Sequence, residues 1–202
     1  IAVRCDGVGA SLLGCHVKGH IRIGSDDVRV ISCNASGVVV AGADRADICR
    51  STFRGMQWDC AVDITGGSGH VVESCEFSNL LAAIRLTGTI GAIVRGNRVR
   101  ARWWGVHLVD TEGTTVISNS FEHTMRAVDI DGGTLAEVTG NAASVGDSGC
   151  VLQRGASSCE ISGNHWERCR IGLLSWDAGA FRHRDNTCID PGEPDSVITV
   201  GP

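Results

Sequence analysis

The chain repeats itself every 22 residues. The apolar segments AVDI (61–64), AIRL (83–86), GVHL (105–108), AVDI (127–130) and GCVL (149–152) each begin 22 residues after the one before. VVAG (39–42) and IGLL (171–174) extend the series in both directions. A unit of this length is too small to hold a core and must stack on its neighbours, so the period predicts a solenoid. Function on such a fold is written on a column of equivalent positions rather than in a linear motif.

Within each unit the apolar residues come in short bursts. Val62 and Ile64, Ile84 and Leu86, Val106 and Leu108, and Val128 and Ile130 each flank one polar residue, the alternation of a half-buried strand. A second burst holds Val94, Val116, Val138 and Ile161, each three residues before Asn97, Asn119, Asn141 and Asn164. Two residues after each Asn comes a third inward position, filled by Phe53, Phe77, Val99, Phe121, Ala143 and Trp166 along the stack. Three short strands per turn, with connections too short for helices, describe an all-β parallel β-helix of nine to ten coils, one domain over residues 1–202. A column reading Cys15, Cys33, Ser51, Cys75, Asn97, Asn119, Asn141, Asn164 and Asn186 supports it. Asn tolerates the left-handed backbone of a sharp turn, and its amide can bond the Asn above and below. A leucine-rich repeat shares the period but needs a leucine framework, and Val, Ile and Phe stand in those places here.

Composition narrows the partners. A net charge of −5 argues against a nucleic-acid ligand, which needs a basic surface. No run of 18 apolar residues could span a membrane. Ten cysteines show no CxxC pair, so they read as small buried hydrophobes with free thiols, which favours a reducing, cytoplasmic setting. His16, His70, His123, His165 and His183 fall in different columns, and neither a metal nor another cofactor is expected. Tyr is absent and Lys18 is the single lysine, which shortens the list of possible catalysts. Solenoid ends need covering. No capping helix is evident near Ile1 and the strand at 197–200 runs almost to the last residue, so an adjacent domain or a second copy is expected there.

The repeat, Gly then Val or Ile, any residue, then Leu or Ile, followed by Val-x-Gly/Ser-Asn-x-Phe/Val, resembles the PbH1-type repeat of right-handed parallel β-helix proteins of the pectin-lyase-like superfamily. The resemblance covers the chain from about Ala2 to Cys188. It implies a right-handed coil, and a substrate, where there is one, lying along an outer sheet. Polysaccharide lyases, uronate epimerases, glycoside hydrolases, viral tailspikes and surface adhesins all share that fold, so the resemblance does not choose among them.

The outward residue of the first strand reads Arg22, Ala41, Asp63, Arg85, His107, Asp129, Val151, Leu173 along the stack, and a second outward column reads Thr65, Thr87, Val109, Asp131, Gln153, Ser175. Successive rungs lie ~4.8 Å apart, which places Arg85, His107 and Asp129 side by side. His107 is the expected base, oriented by Asp129, whose charge would also raise the imidazole pKa. Arg85 and Arg126 would neutralise a substrate carboxylate, Asp131 would donate a proton, and Trp104 would carry a sugar ring. Asp63, Gln153 and Arg154 complete the substrate face. These parts suit a lyase or epimerase of acidic sugars acting on a carbohydrate or other small acidic substrate. Family lyases often use Arg or Lys with calcium and epimerases often Tyr and His, and neither set is complete here. Three alternatives remain: a hydrolase, a non-sugar isomerase or cyclase, and a non-catalytic rod that binds glycans or spaces other domains. The first would use Asp129 and Asp131, ~6.5–7 Å apart on one strand, within the ~6.5–9.5 Å of inverting glycosidases. Alternating charges on a solvated sheet would also arise from cross-strand pairing alone.

Overall fold

The computed structural model describes residues 3–55, 60–189 and, for the backbone, 197–200. Two parallel sheets wrap one core. One has nine strands, from Ser11–Leu13 to Phe181–Arg184, and so contains eight full turns, slightly fewer than the nine to ten expected. The other has thirteen strands. The three expected strands per coil resolve into two ladders, because the 12-residue strands Glu76–Thr87, Arg98–Val109, Ala142–Gln153 and His165–Trp176 run continuously around a corner.

The period is not uniform. Ser11, Arg29 and Asp47 stack in register at 18-residue spacing, whereas Val71, Ile93, Thr115 and Glu137 stack at 22. The four additional residues sit at the corner. Asn34 and Val38 are partnered in later coils by Glu76 and Ile84, through Thr52 and Val62. The longer corner is what gives the middle coils room for Trp103, Trp104 and Arg126.

Corner geometry follows from backbone sterics. Asn79, His123, Val145 and Arg168 occupy equivalent corners with φ of 57°, 52°, 58° and 52°. A left-handed β-branched residue such as Val145 is a true outlier. The coil between Asn79 and His123 differs: Ala101 takes the equivalent place, is buried, and pairs with Leu80, after which register resumes at Ala82 and Trp104. Arg102 and Trp103 are therefore pushed out as a bulge, the device that re-aims side chains in a parallel ladder.

The interior is filled as the alternation requires. Phe53, Phe77, Phe121 and Trp166 are all buried, and Phe53 and Phe77 stack at 5.2 Å between centroids. A column of small residues, Gly37, Ala61, Ala83, Gly105, Ala127, Gly149 and Gly172, faces them. Its size limit is steric: a Cβ at Gly105 would stand 2.4 Å from the Phe121 ring, and one at Gly149 2.4 Å from the Trp166 indole. This column corrects two sequence alignments. Gly37 and Gly172 head their segments, so VVAG and IGLL are out of phase by two residues and one residue respectively.

The amide column forms as expected, with one correction. The left-handed residue is the one before each Asn (Gly96, Ser118, Gly140 and Gly163, φ 54–62°), not the Asn itself. The side chains of Asn97, Asn119, Asn141 and Asn164 are buried, and the column bonds from rung to rung: Asn97 Nδ2 donates to Asn119 Oδ1 at 2.9 Å, Asn119 to Asn141 at 3.0 Å, Asn141 to Asn164 at 3.0 Å, and Asn164 to the half-buried Asn186 at 2.8 Å. All ten cysteines carry free thiols. Three clustered arginines are paired with glutamates on neighbouring rungs, Arg95 with Glu73 at 2.8 Å and both Arg98 and Arg100 with Glu122 at 3.1 and 3.4 Å.

Candidate functional site

The ladder register fixes which side chains share the outer face. The first outward column is Arg22, Val39, Asp63, Arg85, His107, Asp129, Val151 and Leu174. The second runs Ala41, Thr65, Thr87, Val109, Asp131, Gln153 and Trp176. Ala41, Leu173 and Ser175 thus leave their expected places: Ala41 moves to the second column, and Leu173 and Ser175 turn into the core. Trp176, missed in the sequence, takes the place of Ser175. The cause is a single extra residue, since Glu137 pairs with Glu160 at a spacing of 23. Gly172, matching Gly149, was the signal that could have restored the phase.

His107 stands at the centre, with Arg85 one rung before it and Asp129 one rung after. Its ring lies flat on the indole of Trp104, centroids 4.8 Å apart and planes 19° from parallel. Trp104 in turn leans against the exposed Trp103, 5.9 Å away. The bulge at Arg102 and Trp103 builds this aromatic wall along one side of the face.

The carboxylates do not pair as the sequence suggested. Asp129, 1% exposed, accepts from Arg126 Nη1 at 2.8 Å and from Gln153 Nε2 at 3.2 Å, so both oxygens are occupied. The imidazole instead forms its ion pair with Asp131, whose Oδ2 lies 3.8 Å from His107 Nε2. That is beyond hydrogen-bond distance but close enough to stabilise an imidazolium. Asp131 also accepts from Arg154 Nη1 at 3.2 Å, with Arg154 Nε 3.1 Å from its other oxygen. Arg85 is held by Asp63 through its Nε, at 2.9 Å, and through a second, shorter contact from Nη2. Every guanidinium expected to clamp substrate is therefore already partnered by an aspartate.

Electrostatics reverse the expected direction for the base. Burial pushes the His107 pKa below the usual histidine value, and the charges of Asp129 and Asp131, which act to raise it, do not make up the difference. Arg85 lowers it further. Its Nδ1 is buried without a partner. The imidazole is thus neutral at neutral pH, with one nitrogen able to accept a proton and a carboxylate nearby to balance the charge that results. Among the described residues no three of His, Cys, Asp and Glu converge as a metal-ligand set.

Removing Arg126 tests how the face is held together. Asp129 would be left buried with Gln153 as its remaining partner, and an uncompensated buried charge is costly. Arg126→Ala is expected to lower unfolding stability by about 3 kcal/mol, the lower end for broken buried pairs because Arg126 is itself partly solvated. Asp129→Asn with Arg126→Ala should recover most of that loss. Chemical denaturation of the two variants measures both effects.

The comparisons with known proteins agree with this architecture. The chain is similar to PfbA, a surface adhesin of Streptococcus pneumoniae, at 12% identity and a TM-score of 0.59, covering 88% of this chain and 63% of that one. It is similar to the tailspike protein of Escherichia coli bacteriophage HK620, solved in complex with a pentasaccharide, at 13% identity and a TM-score of 0.61, covering 90% and 42%. A DFA-IIIase from Arthrobacter chlorophenolicus, solved without its lid, matches at 16% identity and a TM-score of 0.53, covering 91% and 59%. The chain therefore spans 42–63% of the length of these structures, and at such identities they share its fold alone. No curated protein matches the sequence. Residues 36–188 match the family model described as a right-handed β-helix region, and the chain belongs to that family.

Proposed function

We propose that this protein is a carbohydrate-active β-helix enzyme, a lyase or epimerase of acidic sugars, with His107 as its proton-abstracting base. The observation that carries the reading is the state of His107: a neutral, mostly buried imidazole, fixed against Trp104 and facing Asp131. A base must be unprotonated at working pH and must have its new charge stabilised once it accepts a proton. Burial supplies the first condition and Asp131 the second. Asp131 thereby takes the orienting role expected of Asp129 in place of the proton-donor role expected of it, and Asp129 positions Arg126 and Gln153.

The clamp role survives the ion pairs, because a guanidinium has five N–H donors and one aspartate uses two. Arg85 and Arg154 stay about half or more exposed on either side of His107, where a sugar carboxylate could reach the unused donors. Neutralising that carboxylate makes the adjacent C–H more acidic, as both elimination and epimerisation require. Hydrolysis is less well served: Asp129 is buried and doubly bonded, and an inverting pair needs two carboxyl groups open to water and substrate.

A second reading is favoured by one observation. Complete pairing of Arg85, Arg126 and Arg154 with Asp63, Asp129 and Asp131 is also what a non-catalytic, glycan-binding rod would show. Uronate oligomers incubated in deuterated water separate the two. An enzyme yields an unsaturated product or exchanges the C5 proton for deuterium, and His107→Ala and Asp131→Asn abolish either signal. Oligomer binding with neither signal in the parent would establish the rod.

A further inference from the structure

We infer that Trp176 forms a sugar platform at the far end of a binding strip that takes a linear oligosaccharide of at least four units. The inference rests on the reading of the outer face as carbohydrate-binding and adds the length and direction of its ligand. Trp176 is the most exposed of the described tryptophans, at 60%, on a sheet face where most of its column neighbours are polar. It lines an open cavity of about 300 Å³ together with Gln153, Arg154 and Asp177, room for a single ring. A large flat aromatic surface beside an arginine, a carboxamide and a carboxylate is the surface a sugar ring needs, with its C–H face on the indole and its hydroxyls on the polar groups.

Two of the residues lining this cavity join it to the centre. Gln153 donates to Asp129, and Arg154 to Asp131. The strip from His107 to Trp176 is therefore continuous, and its length follows from the register. Val109, two residues beyond His107 on the same strand, pairs with Asp131, which pairs with Gln153, which pairs with Trp176. Three rung steps span ~14 Å along the solenoid axis, and the two-residue offset adds ~7 Å across it, so the two ends lie about 16 Å apart. A sugar unit in an extended chain advances by roughly one rung spacing, ~4.8 Å, so a chain with one ring at His107 and another on Trp176 has two more between them. Dimers and trimers cannot reach both.

The test uses size-graded oligomers of two to six units, one uronate series and one neutral series, with binding measured calorimetrically and turnover in parallel. Affinity in the parent should rise up to four units and then level off. Trp176→Ala should weaken binding of tetramers and longer oligomers about tenfold while leaving dimers unaffected, the scale of one lost aromatic contact. His107→Ala should lower turnover at every length without altering how binding depends on length. Equal binding of tetramers by the parent and Trp176→Ala overturns the inference while leaving the role of His107 intact. Full turnover in His107→Ala with the length effect preserved overturns the role of His107 as base alone, and binding without turnover in the parent overturns the enzymatic reading alone. An absence of binding by every oligomer overturns both.

Discussion

Replacing His107 with alanine is expected to lower turnover of uronate oligomers about 10²–10⁴-fold, the range for losing a positioned general base. The effect should be chemical rather than structural. His107 Nδ1 has no hydrogen-bond partner and Nε2 stands 3.8 Å from Asp131, so its removal breaks no hydrogen bond. It uncovers one face of Trp104, and the melting temperature should fall only slightly. His107→Gln separates shape from basicity: it keeps polar bulk against Trp104 but cannot take up a proton, and should be as inactive as the alanine variant. Steady-state rates over the oligomer series, with calorimetric affinity as control, measure the loss. A kcat within threefold of the parent in both variants would remove His107 from the chemistry.

The largest effect on stability is expected at Asn119, in the middle of the amide ladder. Its Nδ2 donates to Val94 O, Ile117 O and Asn141 Oδ1 at 3.0–3.1 Å, and its Oδ1 accepts from the Asn97 backbone and side-chain nitrogens at 3.0 and 2.9 Å. Alanine leaves at least two of these groups buried and unpaired, each costing about 1–3 kcal/mol, so Asn119→Ala should lose about 3–5 kcal/mol. Serine should cost less. Ser51, in the same column, already accepts from Cys33 N at 3.0 Å and donates to Cys49 O at 3.0 Å, which shows how a hydroxyl serves this place. Because each coil touches only its neighbours, a break at the midpoint should also broaden the unfolding transition, as the two halves separate in stability. Urea denaturation gives both the midpoint and the slope. A loss under 1 kcal/mol for Asn119→Ala would mean that the ladder is ornamental and that hydrophobic stacking alone sets the register.

These residues also show what the sequence could and could not reveal. The coil, its parallel stacking and the inward Phe53, Phe77, Phe121 and Trp166 were legible because a period-2 alternation repeated at a fixed spacing admits few folds. The rung order Asp63, Arg85, His107, Asp129 followed from the same period. Phase was lost wherever coil length changed: the 24-residue spacing between Val39 and Asp63 misplaced Ala41, and the extra residue between Glu137 and Glu160 hid Trp176. Side-chain partnership was not legible at all. Arg126 reaches Asp129 three residues along its own strand, and that contact, invisible to a column-by-column reading, occupies Asp129 and leaves Asp131 as the ion-pair partner of His107. The direction of the His107 pKa was misread for a related reason: nearby charges can be counted in a sequence, whereas burial depends on Trp104 folding over the ring.

The imidazole titration of His107, followed by NMR through its ring C–H signals, tests the central claim of a buried neutral base most directly. The midpoint should lie below the usual histidine value of ~6.5, and Asp131→Asn should move it lower still by removing a charge that favours the protonated form. A midpoint at or above ~6.5 would show an ordinary surface histidine, and one indifferent to Asp131→Asn would remove Asp131 as its charge partner; either contradicts the account.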